Sequence, residues 1–103
     1  MRKFIIVANP VDVLKYYQKE IPKIPATLRL GDVAYHKNLL RNREIEACLG
    51  GGAYDITDEE LYMYGESGDF GIPNFSDITL KCESEEYLRP TMIYSYKECL
   101  FIS

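Results

Sequence analysis

Three consecutive glycines, Gly50 to Gly52, lie inside the segment IEACLGGGAYDI, whose other residues favour a β-strand. Glycine loses more conformational entropy on folding than any other residue, and it contributes no side chain to the packing of a sheet. Such a run therefore needs a compensating gain, from a bulge, a sharp bend, or the close approach of another backbone or a ligand. Its spacing does not match a P-loop or a dinucleotide-binding fingerprint, because no lysine or helix start follows. A kinked strand and a ligand contact both remain open.

The length and charge of the chain limit the classes of function. With 103 residues it predicts a single domain, 1–103, with one core. A net charge of −4 argues against a nucleic acid or an anionic membrane as the main partner. The apolar run in MRKFIIVANP is too short for a signal peptide, and no later stretch is long enough to span a bilayer. Three widely spaced cysteines favour reduced, buried thiols in a cytoplasmic protein.

The first half of the chain alternates strands and helices. Lys3 to Ala8 is an apolar run typical of a central strand. Asn9 and Pro10 are typical of a helix N-cap and first residue, and the spacing predicts a buried face of Leu14, Tyr17 and Ile21.

After a loop at Pro22 and Pro25, the residues predict a strand over Thr27 to Leu30. Asp32 then predicts the N-cap of a helix from Val33 to about Arg43. In that helix one face would carry the following residues: Val33, His36, Leu39, Leu40 and Arg43.

The second half is mostly β-strand. The glycine-containing segment and LYMY, Leu61 to Tyr64, predict a hairpin with an acidic connection. IPNFSDITLKC fits either a helical turn capped by Ser76 or a strand through Ile78 and Leu80, and TMIYSYKECLFIS is β-rich to its end. We expect an α+β fold, a single domain with a mixed sheet flanked by one or two helices.

His36 is the single histidine of the chain and one candidate for acid–base chemistry. Imidazole exchanges a proton near neutral pH, which suits a general base. A core histidine on the apolar face of its helix is the alternative interpretation. The sequence predicts no metal site, because there is no second histidine and no cysteine at ligand spacing.

The stretch YGESGDFG, Tyr64 to Gly71, is the second candidate. Its glycines permit positive φ angles, so successive amides can converge on an anion, and Ser67 adds a hydroxyl donor. Glu66 and Asp69 would repel an anion unless their side chains turn to solvent. A tight exit from the preceding strand is the alternative.

Taken in order, the KFIIV strand, Tyr35-His36, CLGGG and YGxSxxFG resemble the Janus/Ocnus family, the small phosphohistidine phosphatases. The resemblance covers about the first three quarters of the chain. It implies a mixed sheet flanked by helices and a metal-independent, cofactor-free removal of phosphate from phosphohistidine. The implied partners are a phosphorylated protein or a small phosphoramidate.

The resemblance also implies roles for individual residues. His36 would be the base that activates water, and amides around Ser67, Gly68 and Asp69, with the Ser67 hydroxyl, would hold the phosphoryl oxygens. Two cations would assist: Lys3 matches a basic residue of the family, and Arg29 lies about one residue from a family arginine.

Two residues depart from the family pattern. Ala53 replaces an arginine that follows the three glycines, and Asp69 replaces a small neutral residue beside the phosphate. Single oxyanion contacts are worth about 3 kcal/mol, so these changes would weaken transition-state binding. The alternative function is a non-catalytic binding module, in which nine tyrosines supply contact surface. In that module the β-rich termini can pair edge to edge, in a homo-oligomer or with a partner strand.

Overall fold

A computed structural model describes residues 1–41, 45–57, 60–82 and 93–97. In chain order the strands of these ranges are β1 (Arg2–Ala8), β2 (Ile24–Asp32), β3 (Ala47–Ile56), β4 (Glu60–Tyr64), β5 (Ile78–Cys82) and β6 (Ile93–Lys97). They form one mixed sheet in the order β5-β2-β1-β3-β4-β6. One α-helix, α1 (Pro10–Tyr17), follows β1, and two short 3-10 turns cover His36–Leu39 and Phe75–Asp77. The predicted α+β class with a mixed sheet is confirmed.

The first strand lies at the centre of the sheet, as its apolar run predicted. It pairs antiparallel with β2 on one side and with β3 on the other. The outer pairs, β2 with β5 and β4 with β6, are parallel. Phe4, Ile5 and Ile6 are fully buried, so both faces of the sheet are covered around β1.

Because side chains alternate along a strand, β1 contributes to two clusters on opposite faces. Phe4 and Ile6 belong to the larger core, which Val13 and Tyr16 of α1 cover; we call this the helix face. Ile5 and Val7 pack with Leu39 on the other side, together with Phe70; we call this the loop face. The candidate site lies on the loop face.

Helix α1 begins where the sequence predicted but turns a different side to the core. The Asn9 side chain accepts a hydrogen bond from the Val11 amide, and Pro10 is the first helical residue. The predicted buried face is wrong: Leu14 and Tyr17 are 55 % and 73 % exposed. Val13 and Tyr16, which have the same helical spacing, pack against the core instead.

The predicted helix from Val33 to Arg43 is also wrong. Asp32 ends β2 instead of capping a helix, and of the described residues 33–41 only His36–Leu39 are helical. Leu39 is buried against β1, and its carbonyl accepts a hydrogen bond from the Arg29 guanidinium. Leu40 is already extended, so the helical turn ends at Leu39. Arg43 lies outside the described residues.

The remaining strand predictions are mostly confirmed, with changes of extent. The strand predicted over Thr27 to Leu30 is longer, and it includes Pro25, which pairs with β5 before the pairing with β1 begins at Ala26. The hairpin of β3 and β4 is confirmed. For IPNFSDITLKC the strand through Ile78 and Leu80 is confirmed as β5. A 3-10 turn, Phe75–Asp77, does precede it, but Asn74 is at its N-cap and Ser76 lies inside it, so the predicted Ser76 cap is wrong. The tail forms β6 at 93–97, and residues 98–103 lie outside the described part of the chain.

Among the helices of the described ranges, none is long and apolar enough to cross a membrane.

Candidate functional site

His36 is held by a bond to the glycine-rich strand. Its Nε2 atom lies 2.8 Å from the carbonyl oxygen of Gly52. A carbonyl can only accept, so Nε2 carries the proton and the lone pair of the neutral ring is on Nδ1. Within the described residues Nδ1 makes no hydrogen bond, and the side chain is only half-buried. The imidazole thus has the arrangement of a general base: a hydrogen bond fixes Nε2, and Nδ1 can accept a proton.

The glycine run allows this contact. A Cβ built on Gly51 would lie 3.1 Å from Cδ2 of His36 and 2.5 Å from the carbonyl oxygen of Phe4. At Gly50, φ is +149° and a Cβ would lie 2.5 Å from the backbone nitrogen of Pro73. A register shift opposite Ile6 and Val7 marks an irregularity in the same part of β3. The run is therefore both a kinked strand and a place of close approach.

The segment from Ser67 to Gly71 docks on that same glycine. The Ser67 amide donates to the Gly51 carbonyl at 2.9 Å, and the Gly51 amide donates to the Gly71 carbonyl at 3.1 Å. The Gly71 amide closes the turn by donating to the Ser67 carbonyl at 2.8 Å. His36 and the Ser67–Gly71 turn thus both contact Gly51, and Phe70 of the turn packs on the loop face with the cluster of Leu39.

The interior of the turn is already hydrogen-bonded. Ser67 is only 2 % exposed, and its Oγ accepts from the amides of Asp69 and Phe70, both at 3.2 Å. The Ser67 and Asp69 amides, predicted to hold a phosphoryl group, therefore donate to protein oxygens in this conformation. The Gly68 amide makes no hydrogen bond to any described residue and is exposed. An anion at this turn has to compete with Oγ of Ser67 for two of its amides.

A row of side chains beside His36 completes the site. Lys3 of β1 lies opposite Ala53 of β3, which lies opposite Tyr64 of β4. Paired residues share a face, so all three project on the loop face from strands about 4.8 Å apart. Ala53 follows Gly51 on that face, which brings the row next to the imidazole. Ala53, the smallest of the three, lies between Lys3 and Tyr64 in the row.

Tyr64 is a site residue that the sequence analysis did not identify. It is half-buried, and no described residue forms a hydrogen bond with its hydroxyl. The available signal was the alternation along β4, which puts Tyr64 on the face opposite to the buried Met63, one residue before the Gly65 turn.

Arg29 has a different environment from the one predicted. Its Nη1 and Nη2 atoms donate to the two carboxylate oxygens of Glu46 at 2.9 and 2.8 Å, and Nη1 also donates to the Leu39 carbonyl at 2.8 Å. The two charged side chains are 12 % and 9 % exposed. Arg29 therefore fastens the end of the His36–Leu39 turn to the segment before β3.

An anion can bind at the turn only if its two acidic side chains point to solvent, and this condition is met. Glu66 and Asp69 are both exposed, so their carboxylates lie toward solvent. Among the side chains that the structure describes, no three His, Cys, Asp or Glu residues converge as a metal-binding group.

No family model, curated protein or solved structure matches the chain.

Proposed function

We propose that the chain is a metal-independent phosphoryl hydrolase of the phosphohistidine phosphatase type, acting on P–N bonds in a phosphorylated protein or a small phosphoramidate. The observation that supports the proposal is that Gly51 contacts both parts of the site. The imidazole of His36 lies against it, and its amide and carbonyl form hydrogen bonds with the Ser67–Gly71 turn. A base and an amide-rich turn therefore meet at one backbone position. The motif resemblance supports the same chemistry, and a cytoplasmic location belongs to the proposal.

His36 acts as the base. Nε2 stays bonded to Gly52, and Nδ1 takes one proton from a water molecule whose oxygen attacks phosphorus. The P–O bond forms as the P–N bond breaks, and the electron pair of the P–N bond stays on the leaving nitrogen. The proton taken by the imidazole then passes to that nitrogen or to solvent, which restores the neutral ring.

The phosphoryl oxygens need donors and positive charge, since their negative charge has to be held while the water is oriented. Lys3 supplies the cation, and the Gly68 amide and the hydroxyl hydrogen of Ser67 supply donors from the turn. Tyr64 lies on the same face next to Ala53, where its phenol can add a further donor. A change of χ1 at Ser67, which moves Oγ, would release the amides of Asp69 and Phe70 for the ligand.

The test is the release of phosphate from phosphohistidine and from phosphoramidate. His36→Ala should lower the rate at least about 100-fold, because a positioned base contributes that much or more. Lys37→Ala is the control, since Lys37 is an exposed neighbour on the same turn. Equal rates for wild type and His36→Ala would exclude this mechanism, and so would the absence of phosphate release by the wild-type protein.

Two observations favour a second function, a non-catalytic binding module on the same scaffold. The turn satisfies its own amides through Ser67, and Ala53 offers no charge between Lys3 and Tyr64. Such a module would bind a phosphohistidine peptide saturably, leave it intact, and depend on Lys3 and Ser67 but not on Nδ1 of His36. Isothermal titration with a non-hydrolysable phosphonate analogue separates binding from turnover.

A further inference from the structure

A second concave region lies on the loop face, toward the β5 edge of the sheet. It is a groove of about 810 Å³ lined by residues of β2 and β5 and by Arg41, Ile45 and Glu46. Its volume falls in the upper part of the range of ligand sites. His36, Lys3 and the Ser67–Gly71 turn are not among its lining residues, so it is separate from the proposed hydrolytic site.

Three donor side chains converge on the floor of this groove. Thr27 of β2 lies opposite Lys81 of β5, and Thr79 precedes Lys81 by two residues on the same strand. Register and alternation put all three on one face, with cross-strand Cβ atoms about 5 Å apart. No described residue forms a hydrogen bond with either hydroxyl or an ion pair with Lys81. Two hydroxyls beside one ammonium match the needs of an oxyanion.

The charge around the groove agrees with an anionic ligand. Among the described residues that line it, Arg29, Arg41 and Lys81 are cationic and Asp12 and Glu46 are anionic, three positive side chains against two negative ones. The carboxylate of Glu46 is already bonded to Arg29. The chain as a whole carries a net charge of −4, so this positive excess is local.

The groove also offers apolar contacts. Ile45 is 88 % exposed on its wall, and Pro25 is exposed at the start of β2. A single small anion would use the three donors but not these apolar surfaces. A polypeptide with both carboxylates and apolar side chains would use both, and β5, which ends the strand order of the described sheet on this side, offers an edge on which an extended chain can pair.

We infer that this groove binds an acidic, extended segment of another polypeptide, with one of its carboxylates held by Thr27, Thr79 and Lys81. The inference is independent of the proposed hydrolysis, because it uses other residues of the loop face. It gives the chain a means to select a protein partner whether or not it also cleaves a P–N bond.

The test uses the full chain and a fluorescein-labelled eight-residue peptide of glutamate, aspartate and leucine, followed by fluorescence anisotropy at low salt. Lys81→Glu should weaken binding at least about tenfold, since it places a like charge against the ligand. Lys15→Glu is the matched control, because Lys15 is exposed on α1 at the helix face and the variant carries the same change of charge. His36→Ala should leave peptide binding unchanged.

Amide chemical shifts of the wild-type protein provide a second measurement, which does not depend on the folding of any variant. Addition of peptide should shift the signals of Thr27, Thr79 and Lys81 more than those of the Ser67–Gly71 turn. The inference is overturned if binding does not saturate, if Lys81→Glu and Lys15→Glu weaken it equally, or if inorganic phosphate shifts these signals and the peptide does not.

Discussion

His36 is fixed by Gly52, a residue sixteen positions away, through a 2.8 Å hydrogen bond from Nε2 to the backbone carbonyl. The orientation of the ring therefore depends on the shape of β3, where the neighbouring Gly51 has no side chain to displace it. The glycine run, the histidine and the serine-bearing turn form one structural unit.

The first prediction concerns Gly51→Ala. The added methyl would lie 2.5 Å from the Phe4 carbonyl oxygen and 3.1 Å from the His36 ring, so we expect a loss of about 1–3 kcal/mol in the free energy of unfolding. Urea denaturation measures it. Gly68→Ala is the control: a methyl added there would have no atom within 4 Å, so its change should stay within about 0.5 kcal/mol. A Gly51→Ala protein as stable as wild type would show that the ring and strand are not in contact.

The second prediction concerns Ser67→Ala. Two backbone amides, of Asp69 and Phe70, would lose their acceptor at a position that is 2 % exposed, at a cost of about 1–3 kcal/mol. Ser76→Ala removes the same hydroxyl from an exposed turn and should change stability by no more than about 0.5 kcal/mol. Thermal and urea unfolding of the two variants distinguish these results; equal effects would count against the internal bonding of the turn.

The third prediction is a double-mutant cycle on Arg29 and Glu46. Arg29→Met alone leaves the nearly buried Glu46 carboxylate without the guanidinium, and we expect a loss of about 3 kcal/mol. Adding Glu46→Gln should recover part of that loss, giving a coupling free energy above about 1 kcal/mol. Lys37→Met, which removes an exposed cation from the adjacent turn, serves as the reference for losing a charge. Additive effects would contradict the pairing.

The fourth prediction concerns the thiol of Cys48. Burial raises the pKa of this half-buried cysteine, so its thiolate fraction at pH 8.5 should be below that of an unfolded chain. In a Cys82→Ser, Cys99→Ser background, iodoacetamide should alkylate it more slowly in the folded protein than in urea. A raised pKa in the folded state also means that its contribution to stability is fully present below the unfolded pKa and is lost as pH rises through the folded value. Faster reaction in the folded state would reverse this assignment.

Local sequence signals predicted much of the fold. The Asn9–Pro10 cap, the apolar run of β1 and the hairpin of β3 and β4 all depend on neighbouring residues, and each is present. The glycine run indicated a bend or the close approach of another group. The structure identifies the neighbouring groups as Pro73 at Gly50 and the His36 ring at Gly51.

The predictions from helical periodicity were wrong in two cases. In one, two faces of a helix fit the same spacing, and in the other, residues distant in sequence contact the predicted helix. Leu14 with Tyr17 and Val13 with Tyr16 have the same helical spacing, and only the tertiary packing of α1 on the sheet distinguishes them. The helix expected after Asp32 is replaced by the single turn His36–Leu39, which Arg29 contacts through the Leu39 carbonyl.

The amino-acid sequence by itself determined the elements whose stability is local: a strand-forming core, a capped helix, and glycines where no side chain fits. The tertiary structure alone decided which groups meet, including the row of Lys3, Ala53 and Tyr64, the pairing of Arg29 with Glu46, and the Thr27–Thr79–Lys81 cluster. The reason is that strand register and long-range hydrogen bonds join residues far apart in the chain. The free energy of those contacts depends on both partners, so the sequence of one short segment does not predict them.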